Sequence, residues 1–179
     1  MLRRFSFPCF LAVLALTLVA APSASAVCAS ASATPASVAK RTVIRATLCT
    51  LNAERARHGL PRLTLNKKLS EAARRHARDM VRRDYFAHDS LGGGTFVDRI
   101  RESGYMKGAG SWSVGENLAW GSHDRAAPRA ITSMWMNSAG HRANILSSSF
   151  REVGIGFAMG APGASGPAAT YATEFGTKR

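Results

Sequence analysis

Apolar positions recur at helical spacing through the first two thirds of the chain and give way to short β-rich runs near its end. Over residues 38–58, Ile44, Leu48 and Leu51 stand at i, i+4 and i+7 and predict a helix with one buried face. Gly59 supplies its stop, with Pro61 just beyond. Asn66 is placed to cap a second helix running to about Arg83, whose buried stripe is Leu69, Ala72, Ala73, His76 and Met80. Thr95-Phe96-Val97-Asp98 has the form of a capping box opening a short third helix, closed by Gly104. Pro128 suits the first turn of a fourth, in which Ile131, Met134, Trp135 and Ser138 share a face. Residues 153–158 and 169–175 are rich in β-branched and aromatic side chains, and a Gly/Pro/Ala/Ser loop at 160–168 separates them. They predict two antiparallel strands, with a further strand at 113–120. Helices early and strands late make the fold class α+β.

The first 26 residues follow a different pattern. Arg3 and Arg4 precede an apolar run from Cys9 to Ala21, and Ala24-Ser25-Ala26 has the small-x-small form of a cleavage site. They predict a signal peptide at 1–26 cut after Ala26, a flexible mature tail at 27–37, and one domain at 38–179. The apolar run is shorter than the roughly 20 residues a membrane-spanning helix needs, and no membrane span is expected. Cys9 leaves with the leader. Cys28 and Cys49 then remain in a chain bound for an oxidising compartment, where pairing is the rule, and a Cys28–Cys49 bridge is expected.

Charge adds a preference but no function. The chain carries 24 Lys+Arg against 11 Asp+Glu, a net charge of +13, and loss of Arg3 and Arg4 lowers this by two. Anionic surroundings such as cell-envelope polymers or acidic lipids are favoured. Arg74, Arg75, Arg78, Arg82 and Arg83 lie on one predicted helix and read as a solvated face. No aromatic residues are interleaved for base stacking, so with export a nucleic-acid role is not expected.

Three ionisable residues have strongly patterned surroundings. His88 follows Tyr85 and Phe86; Glu116 sits in Gly115-Glu116-Asn117; His141 sits in Gly140-His141-Arg142-Ala143-Asn144. They fall on separate elements, and only the tertiary fold can bring them together. His76 lies on an apolar stripe and is expected to be a core histidine bonded to backbone. Ser138, three residues before His141, has no glycine-flanked nucleophile elbow, which weighs against a serine hydrolase. Trp112, Trp120 and Trp135 are expected as core or cleft walls. Glu174 faces either the cleft or solvent.

The segments Leu51-Asn52-Ala53-Glu54-Arg55, Tyr85-Phe86-Ala87-His88, Gly115-Glu116-Asn117 and the block from Trp135 to Leu146 resemble the signatures of bacterial CAP domains (cysteine-rich secretory, antigen 5, pathogenesis-related), in order and spacing. So do Glu152-Val153-Gly154-Ile155-Gly156 and Tyr171-Ala172-Thr173-Glu174-Phe175-Gly176. The resemblance implies an α–β–α sandwich with a small antiparallel sheet between helical layers. It also implies a solvent-open cleft lined by His88, Glu116 and His141, with Ser138 and Asn144 beside them. Ser138 stands where eukaryotic members carry a second glutamate.

Two imidazoles and a carboxylate suit zinc with an open water position. Without metal the same three make a hydrogen-bond network in which Glu116 orients a histidine, or polar cross-links around a cleft. The leading expectation is a secreted, non-enzymatic module binding a metal ion, a small ligand or a cell-envelope partner. The alternative is a hydrolase of peptide, cell-wall or lipid substrates with His88, Glu116 and His141 as its groups. Lipid carriage is a further role of eukaryotic relatives. Nothing in the residues sets the oligomeric state.

Overall fold

The computed structural model describes residues 28–179; the expected leader and its cleavage point lie outside the described residues. In chain order the elements are α1 (Lys40–Arg57), β1 (Thr64–Leu65), α2 (Lys67–Arg82), α3 (Phe96–Glu102), β2 (Trp112–Ser122), a 3-10 turn (His123–Ala126), α4 (Pro128–Met136), α5 (Ala139–Leu146), β3 (Glu152–Met159) and β4 (Ala168–Lys178). The four strands form one sheet in the order β1-β3-β4-β2. The pairs β3–β4 and β4–β2 are antiparallel, as expected. The two-residue β1 adds a parallel pair to β3, which makes the sheet mixed.

Strand parity decides what each sheet face carries. Val153, Ile155 and Phe157 of β3, with Tyr171 and Phe175 of β4, point into one core. There they meet Val43 and Leu51 of α1, Ile131 and Trp135 of α4 and Ile145 of α5. The opposite face takes α2: Ala73, Ala77 and Met80 pack on Leu118 and Ala172. Gly154 and Gly156 allow this close approach, because a Cβ at either would stand 2.0 or 2.2 Å from the α2 backbone. Covered on both faces, the sheet is the middle layer of an α–β–α sandwich.

The helix ends follow their residue chemistry. Asn66 Oδ1 accepts from the amides of Lys68 and Leu69, and Thr95 and Asp98 close a reciprocal capping box. Gly59 adopts φ 67° just after α1, where a side chain would strain the backbone. Three expectations are corrected. Residues 28–37 are not a loose tail: Ala31 is buried, its carbonyl accepts from Arg129 N–H at 2.8 Å, and Cys28 is bonded to Cys49. By loop-closure entropy that bridge is worth about 3 kcal/mol. Met134 is exposed, and α4 ends at Met136, so Ser138 leaves that face and becomes the residue before α5. Trp112 and Trp120 are also exposed, and only Trp135 joins the core. Among the described residues, no helix is long and apolar enough to cross a membrane.

Candidate functional site

Because β2 is an outer strand of the sheet, its free edge needs partners. The α4–α5 segment supplies them. Trp135 Nε1–H donates to the Leu118 carbonyl at 2.9 Å, and Asn144 Nδ2–H donates to the Glu116 carbonyl at 3.1 Å and to Asn117 Oδ1 at 2.8 Å. Asn117 in turn donates from Nδ2 to the His141 carbonyl at 2.9 Å. The signature around Trp135 to Leu146 is thus a clasp that lays α5, and with it His141, along the strand carrying Glu116. Asn144 acts through backbone and amide groups.

On the α2 side of β2, the Glu116 carboxylate is almost wholly buried, with 1% of its side chain exposed, and both oxygens are engaged. Oε1 pairs with His88 Nδ1 at 2.7 Å, and Oε2 accepts from Arg99 Nη2 at 2.7 Å. Arg99, on α3, is itself buried, while the His88 side chain keeps 53% of its exposure. Two further contacts fix the turn that carries His88. His76 bonds through Nε2 to the Ala87 carbonyl at 2.9 Å, the core-histidine role expected of it, and Arg99 Nη1 donates to Ser90 Oγ at 3.2 Å.

These neighbours set the charges. Burial alone would push the Glu116 carboxyl up, but the His88 bond and the Arg99 charge outweigh it and hold the group below the usual glutamate value. The same bond raises His88 above the ordinary histidine value, against the opposing effect of burial. His141 is lowered, first by burial and then by the nearby His88 charge. The structure therefore brings His88 and Glu116 into contact and places His141 within electrostatic reach. Ser138 does not join them: among the described residues its hydroxyl makes no hydrogen bond, to His141 or otherwise.

One participant, Arg99, escaped sequence reasoning, and a second, Glu174, was noted there with its direction left open. Arg99 carried no signal beyond its place in a short amphipathic turn. Glu174 pairs directly with Glu116 in the β2–β4 ladder and is fully buried, and among the described residues its carboxyl has no hydrogen-bonding neighbour other than the Glu116 carboxylate. Burial first, then the Glu116 charge, holds it well above the usual carboxylate range. Strand parity could have found it, since Glu174 and Ala172 alternate with Tyr171 and Phe175 in a strand covered on both faces.

The Cysteine-rich secretory protein (CAP) family model matches residues 48–173. The chain belongs to the CAP family. Bacillus subtilis YkwD is 37% identical to this CAP domain over 106 residues, 59% of the chain and 38% of YkwD. The Bacillus subtilis membrane protein YlbC is 35% identical over 105 residues, 59% of the chain and 28% of YlbC. The chain thus spans well under half the length of these curated relatives. An extracellular SCP-domain protein of Bacillus anthracis superposes with a TM-score of 0.58 at 27% identity, covering 77% of this chain and 43% of that one. An outer surface protein of Borrelia burgdorferi shares the fold, with a TM-score of 0.64 at 17% identity over 79% of this chain and 97% of its own.

For a metal, the CAP domain as folded offers two imidazoles without a free carboxylate, because Glu116 already serves His88 and Arg99. Among the described residues, no three His, Cys, Asp or Glu side chains are grouped so as to hold an ion. A zinc site of three protein ligands does not fit unless the Glu116 pairs break.

Proposed function

We propose that the chain is a secreted, non-enzymatic binding module that holds an anionic group of a cell-envelope component against His88 and His141. The observation that carries this is the double engagement of Glu116. A carboxylate held on both oxygens is poorly placed to take a proton from a substrate or to ligate an ion, and its charge instead favours the protonated form of His88. An exposed imidazolium with a raised pKa is a weak general base and a good partner for an anion. His141, neutral over a wider range, adds a hydrogen-bonding nitrogen. The leader at 1–26, with cleavage after Ala26, belongs to this proposal, and the extracellular and outer-surface setting of the structural neighbours supports it.

Sedimentation with bacterial sacculi stripped of their phosphate polymers tests the proposal. Wild-type protein is expected to co-sediment at pH 6 without releasing soluble fragments. His88→Ala should weaken binding at least tenfold, and His141→Ala by a smaller factor. No binding by wild type, or equal binding by both variants, removes the cleft as the binding site. Fragment release that depends on His88 would establish the hydrolase alternative.

A further inference from the structure

Away from the His88 cleft, Arg74, Arg78 and Arg82 stand four residues apart on α2, about 6 Å per step along the axis. Lys40, the first residue of α1, comes beside them, with its Nζ 5.8 Å from the centre of the Phe157 ring. Between the two helices opens a groove of about 570 Å³. Lys40, Arg78 and Arg82 line it together with Val81, Phe157 and Met159, and no carboxylate does. Among the described residues, Lys40, Arg74 and Arg78 have no acidic partner; Asp79 is taken up by Arg82, Arg83 and Tyr85. The hollow across Arg78 differs, since Asp79 and Glu102 lie among its arginines.

We propose that the Lys40–Arg78 groove binds the backbone of a phosphodiester-linked polyol polymer of the cell envelope, its phosphates taken in turn by Lys40 and the α2 arginines. This rests on the extracellular setting of the family and not on the His88 cleft. The cations are held together against their mutual repulsion. Burial first, then Arg78 and Arg74, depress the Lys40 ammonium, and an anion in the groove relieves that repulsion. Guanidinium groups match phosphate with two parallel hydrogen bonds, and a flexible chain can follow their spacing along the helix. Two other polyanions fit less well. The groove is concave, which keeps a flat bilayer off its floor. Its one aromatic ring, Phe157, is 5% exposed and lies under Lys40, so it offers no platform for base stacking.

Titration of the purified protein with poly(glycerol phosphate), at 50 and 200 mM salt, tests the assignment. Saturable binding is expected, weakening as salt rises. Arg78→Glu and Lys40→Glu should each reduce affinity at least tenfold, while Lys107→Glu, at an exposed site elsewhere, leaves it within twofold. Arg78→Gln, which removes charge without reversing it, should give an intermediate loss in a protein with unchanged thermal unfolding. Failure of poly(glycerol phosphate) to bind, or binding that is indifferent to Arg78 and Lys40, overturns the proposal. So does equal or tighter Arg78-dependent binding of duplex DNA or of phosphatidylglycerol vesicles, which would assign the groove to another partner.

Discussion

Arg55→Met is expected to lower the unfolding free energy by about 3 kcal/mol or more, since each buried acceptor left without a donor costs about 1 to 3 kcal/mol. Arg55 is fully buried, and among the described residues it has no carboxylate partner. Its guanidinium donates to four backbone carbonyls: Pro61 at 2.8 Å, Ile145 at 2.8 Å, Ser147 at 2.8 Å and Phe150 at 3.3 Å. Ile145 and Ser147 lie at the C-terminal end of α5, where the helix leaves unpaired carbonyls and partial negative charge. Arg55 therefore ties α1 to the end of the helix that carries His141. Methionine fills much of the volume but leaves the carbonyls buried without donors. Arg55→Lys, with a compact ammonium in place of the planar fork, should fall between. Urea unfolding with the disulfide intact measures both; variants within about 1 kcal/mol of wild type would show that the carbonyls find other partners.

Glu174→Gln is expected to stabilise the fold, an unusual direction for a core substitution. The wild-type carboxyl is fully buried beside the charged Glu116, so ionising it in the folded state is unfavourable, a cost the neutral amide does not carry. The amide keeps the shape and removes the titration. The sign of the pH dependence follows. The folded-state pKa of Glu174 is raised, so its share of stability is fully present below the unfolded glutamate pKa, near 4.3. That share is lost as pH rises toward the folded value, at up to about 1.4 kcal/mol per pH unit. The difference between wild type and Glu174→Gln should therefore grow from pH 4 toward pH 8. Other groups titrate in this interval, including His76 and His141, but they are common to both proteins and cancel in the difference. A variant less stable than wild type at pH 8 would mean that Glu174 is ionised and favourably placed.

The fold was readable where periodicity and end-chemistry agree. Asn66, Thr95, Gly59 and Pro128 each mark a helix end the structure contains, and the Leu69-to-Met80 stripe is buried as its spacing requires. Short elements escaped. The β1 strand has two residues and no pattern of its own, and α5 has one buried apolar residue, Ile145. For α1, the real inward face is Val43, Ala46, Thr47, Thr50, Leu51, Asn52 and Arg55. Polar side chains bonded to backbone (Thr47, Thr50, Asn52 and Arg55) make up four of these seven, which no hydrophobic count detects. At the site, His88, Glu116 and His141 were legible only as motif positions. What Glu116 does depends on Arg99 and Glu174, whose approach is set by the packing of α3 and by the β2–β4 register.

The most direct measurement is an NMR pH titration of the His88 ring nitrogens, with metal chelated, in wild type and in Glu116→Gln. If the buried Glu116 is committed to His88 and Arg99, His88 titrates above the ordinary histidine value in wild type with its Nδ1 proton held. It should drop toward or below that value in Glu116→Gln, with His141 rising slightly as its neighbour loses charge. A His88 pKa that is ordinary in wild type, or identical in the two proteins, would contradict the account.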